Sequence, residues 1–394
     1  MLTLGHVART AAFTATVLVM LAGNAAAGAP AGTGNAQDSM ERTCAARLFD
    51  DAMQTFGFPG LAVAVQRRGV PLFVASDGPV HLNYSRKITP ADRFQVSSTA
   101  KVFAGVLLGM LIDRGSLDPD DSARRYIPEL PPAFEPLKVK HAFENTGMLV
   151  RMEQIPGSLD GSAARADVLA AVIESGFVGG VPGDAFNYGD ASFFIAQLIL
   201  ENVTGLAYDD AVRTMIFEPA GMLDSGFHSD YRTPLRNAVT EYYPDGNGGY
   251  EMRDYVFPYY LHAAGGIATT TIDLLRFDRS LLSGELVSRK TLDDEIWKES
   301  RLNDGRLMSY ARGWDPKDHA PGQFSVGHNG GYLSTYRFYW QHDLSVIILA
   351  SGYLQDWNPD DLATAFAAVW APAIVGLEQS QCSFDALLGD KALF

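Results

Sequence analysis

The chain has 394 residues, 47% hydrophobic and 20% charged, which supplies enough apolar material for one large domain or two interlocked ones. Its formal net charge of −15 at pH 7 argues against nucleic-acid binding, because an acidic surface repels the phosphate backbone. The charge balance alone indicates no particular substrate.

The N-terminus has the pattern of a secretory signal peptide, which we assign to residues 1–29. One arginine precedes an apolar run over residues 11–22, and small residues suited to cleavage follow it. This run is too short for a stable membrane span, and no later run reaches about 18 residues. We therefore expect an exported protein, periplasmic or extracellular, with no span after signal removal. The polar, Ala/Gly/Pro-rich residues 30–43 predict a disordered leader.

The sequence contains two cysteines, Cys44 and Cys382. A zinc site needs more ligands at closer spacing, so we expect no metal site. In an exported protein, two cysteines at opposite ends of the chain favour a disulfide over two free buried thiols. Such a bond requires that the two ends pack side by side.

The first predicted elements are a helix over about 44–56 and a hairpin with strands at 61–65 and 70–75. Residues 102–112 are apolar on nearly every face and predict a helix at the centre of the fold. The segment from about 117 to 262 is mostly helical in pattern. The clearest later elements are helices at 163–174, 191–203 and 272–282, strands at 324–326, 336–340 and 346–350, and a final helix at 362–370.

Predicted strands thus lie at both ends of the chain, with helices between them. This order predicts an α+β fold, an α/β sandwich, in which one antiparallel sheet is built from both chain ends and flanked by terminal helices. We expect one domain over 44–394. Its sheet part would comprise about 44–95 and 265–394, and its helical part about 96–264.

A serine three residues before a lysine opens the central helix, at Ser98 and Lys101. On a helix, residues i and i+3 share one face. Burial of the lysine predicts a lowered pKa and a base for the serine hydroxyl proton. The pattern is typical of the nucleophile of penicillin-recognising enzymes, although an ordinary helix start with a serine N-cap has the same sequence.

Four further segments accompany this pair. Together with it, their order and spacing resemble the serine β-lactamase-related family, which includes class C β-lactamases, D,D-carboxypeptidases, D-aminopeptidases and secreted esterases. The resemblance runs from about Cys44 to the last helix and implies the β-lactamase/transpeptidase-like fold. The segments are Phe-Asn-Tyr-Gly-Asp at 186–190, Ile-Phe-Glu-Pro-Ala-Gly-Met at 216–222, Gly-Gly-Ile-Ala-Thr at 265–269 and Gly-His-Asn-Gly-Gly at 327–331.

The resemblance implies a catalytic role for three side chains. Ser98 would be the acylated nucleophile and Lys101 its proton acceptor. Tyr188 matches the tyrosine of the family's Tyr-x-Asn motif, and a phenolate beside a lysine can act as general base. The backbone N–H groups of Ser98 and Gly331 would form the oxyanion hole.

The family's Lys-Thr-Gly strand is matched by His328, Asn329 and Gly330, which would contact substrate. Here a histidine replaces the lysine, which weakens a permanent cation for substrate carboxylates. Asp190 occupies the position of the family's Asn, so that an acceptor-only carboxylate faces the substrate and holds Lys101 protonated. These departures count against β-lactam hydrolysis, and Asp190 would suit a cationic group such as a free amine. The usual Leu-Leu-x-His-Thr-Ser-Gly turn is reduced to residues 144–147.

Aromatic residues cluster just before the segment at 265–269. They either wall an acyl pocket or cover the helical part, and the sequence favours neither reading. The candidates for the pocket wall are Tyr255, Phe257, Tyr259 and Tyr260.

We therefore expect an exported serine hydrolase that acts through an acyl-enzyme on an ester or small amide. The nearest alternative is a penicillin-binding D,D-carboxypeptidase, D-aminopeptidase or β-lactamase with a peptidoglycan-like substrate. An alternative of another class is a non-catalytic binding or scaffold relative. The sequence has no P-loop and no dinucleotide fingerprint, so we expect no cofactor.

Overall fold

The computed structural model describes residues 36–228, 235–253, 255–354 and 357–383. The proposed signal peptide and the start of the leader lie outside these residues. Within them, the α-helices are α1 (Ala36–Phe56), α2 (Lys101–Asp113), α3 (Val139–Phe143), α4 (Arg165–Ser175), α5 (Asp190–Thr204), α6 (Tyr208–Val212), α7 (Glu218–Ala220), α8 (His262–Gly265), α9 (Thr271–Leu282), α10 (Arg289–Thr291) and α11 (Pro359–Trp370).

The strands of the described residues fall into one large sheet and three small ones. They are β1 (Leu61–Arg67), β2 (Val70–Asp77), β3 (Phe94–Gln95), β4 (Gly226–Phe227), β5 (Tyr242–Pro244), β6 (Tyr250–Met252), β7 (Ile267–Thr269), β8 (Ser300–Arg301), β9 (Leu307–Met308), β10 (Asp315–Asp318), β11 (Phe324–Asn329), β12 (Ser334–Tyr339) and β13 (Leu344–Ala350).

The large sheet has six antiparallel strands in the order β10-β11-β12-β13-β1-β2. The N-terminal hairpin therefore joins the C-terminal meander through the pairing of β1 with β13, in which Val63 lies opposite Ile348. This confirms the α+β prediction of a single antiparallel sheet made from both ends of the chain.

The sheet is buried on both faces, which explains why the first five residues of β1 are apolar without alternation. Ala62 and Ala64 of β1 face the core shared with α2 and the other inner helices. Val63 and Val65 face a second core, formed with α1 and α11. Since successive strand residues point to opposite faces, a strand between two cores is apolar at every position.

The first helix begins earlier than the sequence predicts. It starts at Ala36, so the latter half of the leader expected to be disordered over 30–43 is helical, and that prediction is wrong from residue 36 onward. The reason is packing: Glu41 is buried despite its charge, and the Gln37 amide donates to its carboxylate at 3.3 Å. The polar composition of residues 30–43 gives no sign of this contact between Gln37 and Glu41.

The two chain ends are joined covalently. Cys44 of α1 and Cys382 form a disulfide with their Cα atoms 4.9 Å apart, as predicted. Both lie at the core between the sheet and the terminal helices.

Among the described residues, no single helix is both long and apolar enough to cross a membrane. Only a pair bent by 69°, α5 with the helical stretch Tyr208–Ala220, reaches that length and composition when its two arms are combined.

Candidate active site

Ser98 lies in a tight turn at the start of the central helix. The turn is a single 3₁₀ segment, Ser97–Ala100, that leads directly into α2. Ser97 has φ of 44°, a left-handed conformation that non-glycine residues rarely adopt, so the chain is strained just before the serine. The following helix is almost wholly buried, which fixes the position of the turn.

Lys101 is fully buried and directs its ammonium at three oxygen atoms. Nζ lies 3.1 Å from Ser98 Oγ, 3.0 Å from Asp190 Oδ1 and 2.9 Å from the Ala264 carbonyl oxygen. An ammonium has three donors and no acceptor, so these contacts satisfy it completely. The structure thus joins the start of α2, the start of α5 and α8 at one point.

The charge of Lys101 differs from the sequence-based expectation. Burial acts to lower the pKa of Lys101, but the charge of Asp190 and the nearby Tyr188 hydroxyl outweigh it, and the pKa is raised. The expectation that burial lowers the pKa of Lys101 is therefore wrong, whereas the expectation that Asp190 holds it protonated agrees with this geometry. The role of Lys101 as proton acceptor for Ser98 stays a prediction.

Tyr188 lies beside the same ammonium, with its ring centroid 5.1 Å from Lys101 Nζ. The loop that carries Tyr188 is held by Asn145, a fully buried residue with φ of 54°. The Asn145 side-chain oxygen accepts from the Gly189 N–H at 3.1 Å, and its carbonyl accepts from the Asn187 N–H at 2.7 Å. Sequence reasoning noted the segment 144–147 only as a shortened family turn and missed this role.

Strand β11 lies against the Ser98 turn. The Thr99 hydroxyl donates to the His328 carbonyl oxygen at 3.1 Å. A Cβ atom at Gly330 would lie 2.0 Å from the Val96 carbonyl oxygen, so only glycine permits this approach. Asn329 donates its amide to Asp360 at 3.2 Å, which ties the strand to α11. The predicted substrate strand therefore lies at the nucleophile.

His328 is buried and neutral. Burial, followed by the charge of Lys101, lowers the pKa of His328 to about 3. Its Nε2 lies 3.1 Å from the hydroxyl of Tyr310, a buried residue that sequence reasoning missed. Tyr310 precedes β11 by a whole strand, so no local spacing pointed to it.

Gly331 follows β11 in a turn, with φ of 62°. In this turn the Gly330 N–H is bonded to the Ser334 carbonyl, and the Leu333 N–H to the Gly330 carbonyl. Gly331 thus lies one residue beyond the glycine that meets the Ser98 turn. The oxyanion hole of Ser98 and Gly331 N–H groups stays a prediction.

Two of the four aromatic candidates for the pocket wall are held by the framework. Tyr259 donates its hydroxyl to Glu201 at 2.7 Å, and Tyr260 donates to the Ser158 carbonyl at 2.9 Å. Phe257 packs on Gly265, beside the carbonyl that holds Lys101, and Tyr255 contacts Phe257 at 4.8 Å between ring centroids. The contacts of Tyr259 and Tyr260 favour the covering role, and only Phe257 and Tyr255 remain wall candidates.

The arrangement combines a partly exposed hydroxyl, an adjacent buried ammonium and a phenol beside that ammonium. A tyrosine phenolate held against a cation can accept a proton from a nucleophile, and the phenol so formed can return that proton to a leaving group. These are the elements of acyl transfer through a seryl intermediate.

Comparison with known proteins agrees with the family resemblance seen in the sequence. The family model described as Beta-lactamase matches residues 45–368. Penicillin-binding protein 4* of Bacillus subtilis (strain 168) is 24% identical over 304 residues, which cover 72% of this chain and 65% of that protein. A D-aminopeptidase of Cereibacter sphaeroides is 28% identical over 246 residues, which cover 59% of this chain and 45% of that protein. The chain thus spans less than two thirds of these relatives' lengths.

Solved structures share the fold. The octameric penicillin-binding protein homologue from Pyrococcus abyssi superposes with a TM-score of 0.72 at 18% identity, covering 88% of this chain and 79% of that chain.

Proposed function

The chain belongs to the beta-lactamase family, and from that premise we propose that it is an exported serine hydrolase that forms an acyl-enzyme at Ser98. Its substrates in this proposal are esters or small amides.

One observation carries the proposal. Lys101 Nζ lies 3.1 Å from Ser98 Oγ, although the lysine is completely buried. Burying an ammonium is costly unless it is paired and hydrogen-bonded. The buried charge lies against a serine hydroxyl. Its simplest role there is to stabilise the deprotonated serine.

Proton transfer in this proposal runs through Tyr188. Because the Lys101 ammonium has no lone pair, the acceptor of the Ser98 proton is Tyr188 in its phenolate form, whose oxygen lies beside the cation. Ser98 Oγ attacks the carbonyl carbon, and the proton passes through Tyr188 to the leaving alcohol or amine. Water then cleaves the acyl-enzyme by the reverse route, regenerating Ser98 and releasing a carboxylic acid. Backbone N–H groups of Ser98 and Gly331 hold the oxyanion.

The neutral state of His328 supports ester or amide substrates that carry no carboxylate. A substrate that ends in a carboxylate finds no cation at this strand position, because the pKa of His328 is lowered to about 3 by burial and by Lys101. This disfavours β-lactams and peptides that end in a free carboxylate.

A D-aminopeptidase or D-amino acid amidase activity is the second candidate. The relatives named for these activities favour it: the D-aminopeptidase above and the D-amino acid amidase of Ochrobactrum anthropi SV3, the latter sharing the fold at a TM-score of 0.71. Asp190 is compatible with both candidates.

Export is supported by the disulfide and by the signal-like N-terminus. Disulfides persist in oxidising compartments such as the periplasm or the extracellular space, and are rare in the cytosol. The bond between Cys44 and Cys382 is therefore in keeping with a secreted chain.

The test is a substrate panel with the wild type and two serine variants. Esters, D-aminoacyl amides and a chromogenic cephalosporin are compared in wild type, Ser98→Ala and, as a matched control, Ser85→Ala at an exposed turn. We expect Ser98→Ala to lose at least about 1000-fold in kcat, as loss of a nucleophile does, and Ser85→Ala to lose nothing. Wild-type rates in Ser98→Ala would refute the proposal. Inactivity of the wild type on the whole panel would favour the non-catalytic alternative.

A further inference from the structure

Both ring nitrogens of His328 are already engaged. Nδ1 lies 2.6 Å from the Asn329 carbonyl oxygen, and because a carbonyl can only accept, Nδ1 carries the proton. Nε2 is then the acceptor for the Tyr310 hydroxyl at 3.1 Å. His328 therefore offers no N–H to a substrate.

Tyr310 is held firmly in the donor role. It is buried, and burial raises its pKa well above the usual value, so the hydroxyl keeps its proton. Its ring packs edge-on against Tyr188 at 6.1 Å between centroids and tilted against Phe186 at 5.2 Å. The charged or titratable groups that face His328 from the packed elements are Lys101, Arg337, Asp360, Tyr188 and Tyr310.

Asp190 carries the accessible charge of the site. Its Oδ1 binds Lys101, yet 28% of the side chain is exposed, whereas Lys101 is fully enclosed. A substrate therefore meets the carboxylate and not the ammonium. The nearby cation Arg312, close in sequence to Tyr310, is already paired with two carboxylates, those of Glu144 at 3.2 Å and of Glu295.

We infer that this site selects its substrate by charge: Asp190 binds a protonated amine next to the scissile carbonyl, and Tyr310 excludes carboxylates by occupying His328. The inference rests on the proposed acyl-enzyme function and adds the substrate class, amino-acyl esters or amides with a free amine. Tyr310 acts through His328 and is a positioning residue.

The first test is a series of three substrates whose substituent at the amino nitrogen is cationic, neutral or anionic. Alanine benzyl ester, in D and L forms, is compared with its N-acetyl and N-succinyl derivatives at pH 6.5, by release of benzyl alcohol. We expect kcat/KM of the free amine to exceed that of the acetyl ester at least about tenfold, and the succinyl ester to lie at least about tenfold below the acetyl ester.

The outcomes separate the two proposals. Equal, Ser98-dependent hydrolysis of the three esters overturns the charge selection and leaves the acyl-enzyme standing. Hydrolysis that persists in Ser98→Ala, or is absent from wild type, overturns both. These wild-type ratios decide the inference even if a variant fails to fold.

The second test assigns the two residues through ratios measured within each variant. In Asp190→Asn the amine-to-acetyl ratio falls toward one. In Tyr310→Phe, Nε2 of His328 loses the hydroxyl that donates to it and becomes open to a proton, although burial and Lys101 still lower the pKa of His328. The succinyl-to-acetyl ratio of this variant therefore rises as the pH falls from 8 to 5, whereas the wild-type ratio does not.

Two controls complete this test. Tyr126→Phe removes a hydroxyl that binds Asp121 at 2.7 Å in the helical part, and we expect both ratios to stay at wild-type values. Adding His328→Gln to Tyr310→Phe removes the protonatable ring and cancels the gain. A Tyr310→Phe variant that slows all three esters equally, at every pH, would show that Tyr310 is only structural.

Discussion

Lys101 and Asp190 together decide what the Ser98 hydroxyl can do. A lysine this deeply buried would lose its proton without a partner, and burial alone lowers its pKa. Asp190, 3.0 Å away, reverses that effect. The ion pair therefore fixes Lys101 as the cation beside Tyr188 and leaves proton transfer to the phenol.

Removing the Asp190 charge should move the pH dependence of activity. In Asp190→Asn the desolvation of Lys101 is opposed by Tyr188 without the carboxylate charge, so the pKa of Lys101 falls. We expect the alkaline limb of kcat/KM for the N-acetyl ester to shift to lower pH, since Lys101 loses its proton earlier. The pH–rate profile from pH 6 to 11 measures this.

Asp294→Asn is the control for a general change in charge, because Asp294 pairs with Lys290 at the surface. Its profile should match wild type. An unchanged or upward-shifted limb in Asp190→Asn would mean that Lys101 does not need its proton for catalysis.

At the scale of elements, the central helix α2 packs closely against its neighbours at two glycines. A Cβ atom at Gly105 would lie 2.3 Å from the Arg312 carbonyl oxygen, a backbone atom. At Gly109 it would meet side-chain carbons of Val287 and Ile296, at 3.0 and 3.1 Å. Side chains can move aside more easily than backbone.

These glycines give a matched pair of substitutions. Alanine gains about 1 kcal/mol over glycine in a helix, while overpacking costs about 1–3 kcal/mol. We expect Gly105→Ala to lower the free energy of unfolding by about 1–2 kcal/mol and to reduce activity, because α2 carries Lys101. Gly109→Ala should stay within about 1 kcal/mol of wild type. Urea unfolding measures both, and equal effects would contradict this packing.

Elements with a strong local pattern were predictable from the sequence. The central helix was predicted at 102–112 and runs Lys101–Asp113, and the hairpin strands lie where the apolar runs and the turn placed them. The start of α1 was not predictable, because residues 37–40 are exposed and the burial of Glu41 arises only through tertiary packing.

Parts of the site escaped prediction for a related reason. Asn145 and Tyr310 act through long-range hydrogen bonds, to the loop of Tyr188 and to His328, which produce no periodic pattern in the sequence. The presence of a charged pair was evident from Lys101 and Asp190. Whether the pKa of Lys101 is raised or lowered depends on its distance from Asp190. These residues are 89 positions apart in the chain, so the sequence alone does not give that distance.

For the whole molecule, the disulfide connects the first helix to the segment after the last, across 338 residues. A cross-link that closes so long a loop restricts the unfolded chain, by about 3–5 kcal/mol at typical magnitudes. The double variant Cys44→Ala/Cys382→Ala should lose about that much free energy of unfolding in guanidinium.

The same double variant should keep its activity at 25 °C, because the bond lies in the core between the sheet and the terminal helices, whereas Val96 and Ala100, which flank Ser98, belong to the other core. Wild type treated with reductant is the control and should match the variant. Unchanged stability in both would show that the cross-link adds nothing to the fold.

The most direct measurement is the covalent labelling of the folded wild-type protein by a fluorophosphonate, read by intact mass and by peptide mapping. We expect one adduct per chain, on the peptide that contains Ser98, and none in Ser98→Ala. A wild-type protein that takes no label, or takes it on another residue, would contradict an acyl-enzyme at Ser98.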